Sequence, residues 1–108
     1  MKGAACLELV VEREGKTLCL TLSGDFDRAA IAQVERALEE ARALPLEHVV
    51  FDLSALTFLD LAGLRTILRV DRRAQAEGFG LTVVRPRGLA NRVFTLTRVG
   101  ETLSMIDR

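Results

Sequence analysis

The sequence has no tryptophan and no tyrosine, and its five aromatic residues are all phenylalanine. Because apolar residues still make up 49% of the 108 residues, the core must be largely aliphatic. A chain of this length buries roughly two thirds of its unfolded surface when it folds. We therefore expect one domain that spans residues 1–108.

An excess of either charge is also missing, since fifteen basic side chains balance fifteen acidic ones. This balance gives no electrostatic reason to expect non-specific binding to nucleic acid or to an anionic membrane surface. No apolar run is long enough to span a membrane, and the first apolar stretch is too short for a signal peptide. We expect a cytoplasmic protein without membrane insertion and without direct contact to nucleic acid.

Catalytic and metal-binding motifs are absent from the sequence. Its two cysteines, Cys6 and Cys19, form no Cys-x-x-Cys motif and supply too few ligands for zinc. The single histidine, His48, has no partners that indicate a catalytic triad or a metal site. The sequence also lacks a P-loop, a GxGxxG segment and a GxSxG segment. We therefore expect no enzyme, no bound metal and no cofactor.

Alternating apolar residues predict two N-terminal strands, over residues 5–11 and 17–22. A tight turn between them indicates an antiparallel hairpin. Pairing Leu9 with Leu20 places the apolar residues of both strands on one face. In this register the two cysteines do not lie opposite each other, so no disulfide is expected.

After the hairpin, the apolar spacing alternates between that of helices and that of strands. Asp27 is positioned to cap a helix that ends near residue 42. The later elements are predicted as a buried strand over 48–54, a turn at 54–60, a helix over 61–77 capped by Gly78, a strand over 80–84, a helix over 88–99 and a short strand within 102–106. This order predicts an α/β fold with a mixed sheet, an N-terminal hairpin and helices packed against the sheet.

The apolar residues of the two later helices predict which sides face the core. The inward residues are predicted to be Leu61, Leu64, Ile67, Leu68 and Ala74 in one helix, and Leu89, Val93 and Leu96 in the other. On the opposite side of the first of these helices lie Arg65, Arg69, Arg72 and Arg73, which form either a solvated face or a contact for an acidic partner. Asp71 falls within the apolar stripe without a physical explanation.

Three stretches of the sequence together resemble the STAS domain of bacterial anti-sigma factor antagonists. They are LSGDFDRAAIAQVERAL at 22–38, VVFDLSALTFLDLAGLRTIL at 49–68 and VVRPRGLANRVFTLTRVGETL at 83–103. The resemblance covers nearly the whole chain, and the middle stretch is the most specific. It implies a single STAS-like domain that binds an anti-sigma factor, often of the serine-kinase ATP-binding type, and so releases a sigma factor.

In the family, the kinase can phosphorylate a Ser or Thr two residues after the aspartate that matches Asp60. Ala62 stands at that position here, so the resemblance implies a binding module that cannot be switched at this residue. Ser54, Thr57 and Thr66 are the alternative acceptors nearby. The partner-binding residues implied by the resemblance are Asp27, Asp60, Leu61, Ala62, Gly63, Arg65 and Arg69.

Each of these residues also has a purely structural interpretation. Asp27 and Asp60 can act as helix N-caps, and Gly63 can simply allow close packing of helix on sheet. Leu61 either extends the inward stripe, which we favour, or replaces a polar contact residue. Two other functions fit the same fold: a STAS subunit that binds the ATPase of a membrane lipid-transport complex, and a sensor of a small ligand or nucleotide.

Overall fold

The computed structural model describes residues 6–107, which form a mixed five-stranded sheet and three α-helices. The elements are β1 (Glu8–Glu14), β2 (Thr17–Phe26), α1 (Ile31–Ala41), β3 (His48–Leu59), α2 (Leu61–Glu77), β4 (Gly80–Val84), α3 (Leu89–Thr97) and β5 (Met105–Ile106). The strands lie in the order β1-β2-β3-β4-β5, with β1 antiparallel to β2 and all other neighbours parallel. The predicted α/β architecture is confirmed.

A single buried cluster joins the sheet to all three helices. Alternate residues of β2 and β3 supply its centre, because side chains two apart on a strand share a face. They are Leu18, Leu20, Leu22, Val49, Phe51 and Leu53, none more than 1% exposed. Within residues 6–107, none of the helices combines the length and the apolar character needed to cross a membrane.

The N-terminal hairpin forms as predicted, but its register differs by two residues. Leu9 pairs with Leu22 instead of Leu20, because the chain turns within two residues, Gly15 and Lys16. Gly15 adopts a φ of 62°, which glycine tolerates and which a tight two-residue hairpin turn needs. A shift of two keeps every side chain on the predicted face. Both cysteines are free, as expected.

The bounds of the second helix agree with the sequence-based prediction, whereas the end of the strand before it does not. The second helix is confirmed over Leu61–Glu77, and Gly78 ends it with a φ of 84°. The strand before it, however, does not stop near residue 54, and the turn predicted at 54–60 is wrong. β3 continues to Leu59 because β2 also continues to Phe26, and the two strands stay paired to their ends.

Asp71, whose position within the apolar stripe the sequence did not explain, is partly exposed. Its carboxylate accepts a hydrogen bond from the Gln75 amide at 3.0 Å.

The inward face of the last helix was predicted wrongly for two of its three residues. Val93 is partly buried and packs against the core, as predicted. Leu89 and Leu96, however, are 71% and 75% exposed, whereas Ala90 and Phe94 are buried. Phe94 carries the largest apolar side chain of α3, so its burial determines how the helix is rotated about its axis. Ala90, four residues earlier, lies on the same face and lets the helix approach the sheet.

This orientation of α3 predicts a strong contrast between two truncations. Phe94→Ala should lower the free energy of unfolding by about 3–5 kcal/mol, because it leaves a cavity in the core. Leu96→Ala removes a side chain that is already in water and should change it by about 0.5 kcal/mol or less. Urea denaturation followed by circular dichroism measures both. Equal losses would mean that α3 is rotated differently.

Candidate functional site

The two aspartates that the sequence singled out are brought together by the ends of two parallel strands. Phe26 and Leu59 are partners in the β2–β3 ladder, so Asp27 and Asp60 leave the sheet side by side. The Asp60 backbone N–H donates to the Phe26 carbonyl at 3.3 Å and extends the pairing by one residue. The carboxyl ends of parallel strands are where α/β folds commonly place binding residues.

Both aspartates cap the structure that follows them. The Asp60 Oδ1 accepts a hydrogen bond from the Gly63 N–H at 2.9 Å at the start of α2. The Asp27 Oδ1 accepts one from the Ala29 N–H at 3.1 Å, at the start of a 3₁₀ turn that leads into α1. The capping interpretation is therefore confirmed for both residues. Their contact with a partner stays a prediction.

Gly63 lies where the first turn of α2 packs against the strand ends. A Cβ atom at this position would lie 2.7 Å from the Phe26 carbonyl oxygen and 2.8 Å from the Leu59 Cδ1. Both distances are too short for a methyl group, so only glycine fits without a shift of the backbone. The packing role of Gly63 is thus clear, and it holds the start of α2 close to both strands.

Two exposed apolar side chains flank Asp60. Leu61 is 56% exposed, and Phe58 is 47% exposed although it directly precedes the buried Leu59. The favoured interpretation of Leu61 as part of the inward stripe is wrong, because the first turn of α2 directs it to solvent. Phe58 was missed as a candidate, since its exposure depends on an irregularity in strand pairing. We call Asp27, Phe58, Asp60, Leu61 and Ala62 the strand-end surface.

The irregularity is a bulge in β3. Gly24 pairs with Leu56 and Asp25 pairs with Phe58, so Thr57 is an extra residue without a strand partner. The exposed Thr57 hydroxyl donates to the Gly24 carbonyl at 3.1 Å and lies 3.2 Å from the Asp25 Oδ1. A bulge redirects the residues after it, which explains why Phe58 points to solvent. Opposite the bulge, Gly24 has a positive φ of 89°, which glycine adopts without strain.

The other two hydroxyl candidates are less accessible. The partly buried Ser54 donates its Oγ to the Asp52 Oδ1 at 2.7 Å. Thr66 is 1% exposed, and its Oγ1 donates to the Ala62 carbonyl at 3.1 Å. Ala62 itself is partly exposed in the first turn of α2.

Two arginines of α2, Arg65 and Arg69, have different surroundings. Arg65 is exposed one turn after the strand-end surface, and among the described residues it has no hydrogen-bond partner. Arg69 instead reaches α1, where it pairs with Glu35 at 3.0 Å and also donates to Thr66 at 3.2 Å. Its ion pair lines a groove of about 410 Å³ between α1 and α2. The structure therefore does not bring Arg69 to the strand-end surface.

No group of side chains within residues 6–107 has the composition of a metal site. The strand-end surface offers carboxylates that each use Oδ1 for a cap, together with exposed apolar groups. Exposed apolar groups beside polar ones are typical of surfaces that contact other proteins.

A family model described as "Mlab, STAS domain" matches residues 9–107 of the sequence. The chain belongs to the STAS domain family. Comparison with curated proteins finds no match. Solved structures of the same fold do match this STAS domain over most of its length.

SpoIIAA, an anti-sigma factor antagonist, matches in its unphosphorylated form with a TM-score of 0.81 and 20% identity, over 94% of this chain and 88% of that one. The phosphorylated form of SpoIIAA from Bacillus matches with a TM-score of 0.74 and 20% identity, over 94% and 91%. An anti-sigma factor antagonist from Mycobacterium paratuberculosis matches with a TM-score of 0.73 and 28% identity, over 93% and 85%. The STAS domain described here therefore resembles the anti-sigma factor antagonists.

The capping role of Asp60 can be separated from any role of its charge. Asp60→Ala should lower the free energy of unfolding by about 1 kcal/mol, because the Gly63 N–H loses its acceptor. Asp60→Asn keeps a side-chain oxygen at the same place and should retain most of the stability. Thermal or urea denaturation measures the stability of both variants relative to the unaltered protein. Equal destabilisation by both would show that the charge, and not the cap, matters for folding.

Proposed function

We propose that this STAS domain is an anti-sigma factor antagonist that has no phosphorylation switch at position 62. It binds an anti-sigma factor through the strand-end surface, competes with the sigma factor and so releases it. The similarity to anti-sigma factor antagonists supports the class of partner. The observation that carries the proposal is the start of α2, where Ala62 lies in the first turn between the Asp60 cap and Gly63.

The chemistry of this turn explains what the alanine changes. A phosphoryl group on a side chain here would add about −1.5 to −2 charges and cover the neighbouring contact area. Alanine has no oxygen to accept it and no charge that imitates it. The turn therefore resembles the unphosphorylated state, and the domain is competent to bind without prior dephosphorylation.

The proposed contact combines apolar and acidic groups. Leu61 and Phe58 supply exposed apolar area at its centre, and a few such residues usually carry most of the affinity of an interface. Asp27 and Asp60 keep their second carboxylate oxygens for the partner, and Arg65 lies at the rim. Gly63 contributes by letting α2 start close to the sheet. This is the activity of a cytoplasmic interaction module, without catalysis and without a cofactor.

The proposed partner is an anti-sigma factor of the serine-kinase ATP-binding type. Affinity purification from lysate of the native cells, read by mass spectrometry, tests its identity. An anti-sigma factor among the retained proteins supports the proposal. A transporter ATPase in its place would instead make this chain a subunit of a lipid-transport complex. Thermal stabilisation by a nucleotide or metabolite, with no protein partner retained, would make it a ligand sensor.

A charge and bulk introduced at Ala62 should disrupt the interface. We expect Ala62→Arg to weaken binding of the anti-sigma factor roughly tenfold or more, as expected for a large side chain placed within a packed contact. Thr95→Arg makes a similar change at an exposed position of α3 that is not part of the strand-end surface, and it should leave the affinity unchanged. Isothermal titration calorimetry measures both. An unchanged affinity of Ala62→Arg would remove this surface from the interface.

A further inference from the structure

β1 lies at one edge of the sheet, so one side of its backbone has no strand neighbour among residues 6–107. In an antiparallel pair, the N–H and C=O groups of every second residue point away from the partner strand. Most side chains of β1 are exposed as well, including Val10 at 53% and Val11 at 45%. An accessible edge of this kind is a template on which a further strand can pair.

The two faces of β1 differ in chemistry. On the face that lies beside polar residues of β2, Val10 stands among three glutamates, Glu8, Glu12 and Glu14. Glu12 and Glu14 have no ion-pair partner within the part of the chain that the structure describes. The other face continues the buried apolar face of β2 and carries Leu9, Val11 and Arg13. One side of this edge is therefore acidic and the other is mainly apolar.

A groove of about 310 Å³ opens between the apolar face of β1 and the C-terminal half of α1. Its lining is mostly aliphatic and includes Val11, Leu18, Ala37, Ala41, Ala43 and Leu44. Leu44, in the segment that follows α1, is 60% exposed. The groove therefore offers apolar contact area directly beside the free backbone of the edge strand.

Arg13 holds the two walls of this groove together. Its Nη1 donates to the Ala41 carbonyl at 3.0 Å, its Nη2 donates to the Pro45 carbonyl, and its Nε donates to the Gly15 carbonyl at 3.1 Å. The last carbonyls of a helix have no donors within the helix, so an arginine from β1 is a suitable partner for them. The groove is thus built into the fold before any partner binds.

The glutamates decide against a second copy of this chain as the occupant of the edge. An antiparallel pair of identical strands that continues the sheet places residues of the same face opposite each other. Centred on Val11, the pair has Glu8 of each copy opposite Glu14 of the other. Centred on Val10 it has Glu8 opposite Glu12, and centred on Glu12 it has that residue opposite itself. Like charges directly opposite destabilise a strand pair, whereas basic side chains at these positions would stabilise it.

We propose that β1 binds an extended segment of another protein, in which basic and apolar residues alternate, as a sixth strand of the sheet. The backbone of the segment pairs with the free edge of β1. Its basic side chains lie beside the three glutamates, and its apolar side chains lie on the opposite face and enter the groove against α1. In strand addition of this kind, main-chain hydrogen bonds supply affinity and the alternating side chains supply specificity.

This site is separate from the strand-end surface. Leu18 lines the groove, whereas Phe26 directly precedes Asp27, and the two lie near opposite ends of β2. At about 3.3 Å per residue, they are roughly 25 Å apart. Binding at the edge therefore leaves the strand-end surface free, and the inference does not depend on the proposed function.

A synthetic peptide tests the proposal directly. The probe is a capped peptide of alternating lysine and leucine with seven residues, the length of β1. A second peptide has the same composition, but its lysines and leucines stand in separate blocks, so it keeps the charge and loses the alternation. Isothermal titration calorimetry with the full chain should show at least about fivefold tighter binding of the alternating peptide. Equal affinities, or no binding of that peptide at about 1 mM, would overturn the proposal.

Two matched pairs of variants locate the peptide. Glu12→Lys should weaken binding about fivefold, because a cross-strand pair of opposite charges becomes a pair of like charges. Glu101→Lys makes the same change of charge at an exposed residue outside β1 and should leave the affinity unchanged. Leu44→Ala should weaken binding about threefold by removing apolar area from the groove, whereas Leu96→Ala, at an exposed residue of α3, should not. If both members of either pair behave alike, the peptide does not bind as proposed.

Hydrogen exchange followed by NMR checks whether the backbones pair. In the complex, the β1 amide protons that face away from β2 should exchange about tenfold more slowly or less, because they gain acceptors on the peptide. The amides of β5, at the opposite edge of the sheet, should keep their rates. Binding without slower exchange in β1 would rule out strand addition. Circular dichroism of each variant establishes that the fold is retained.

Discussion

The paired ends of β2 and β3 determine almost everything about the candidate site. Because Phe26 and Leu59 are ladder partners, the residues that follow them leave the sheet at one place. Each of these residues is an aspartate that caps the next element, so two helical starts are fixed side by side. Gly63 completes the arrangement, since the missing Cβ lets α2 lie against the Phe26 carbonyl. A one-residue shift between the two strands would separate all of these groups.

Regular pairing alone would not have produced the exposed Phe58 of the surface. The extra residue in β3 breaks the alternation after Leu56, so that Leu59 takes the next buried position in place of Phe58. On the opposite strand, Gly24 tolerates a positive φ, and a Cβ there would overlap the Cys6 carbonyl oxygen. Glycine at this position therefore has two effects: the segment just before β1 approaches closely on one side, and the bulge forms on the other. The strand-end surface thus depends on two glycines, Gly24 and Gly63, that contact no partner themselves in the proposed interface.

The parts of the fold that local signals determine were predictable, and the parts that depend on distant contacts were not. The bounds of α2 follow from its apolar spacing, the Asp60 cap and Gly78, all within its own residues. The end of β3 depends instead on how far β2 continues, about thirty residues earlier in the chain. The alternation of apolar residues in the hairpin predicts which side chains share a face, because side chains two residues apart lie on the same face. It does not distinguish two registers that differ by two residues, since both place the same side chains on that face. Phe58 was missed for the same reason, since a bulge is a property of two paired strands.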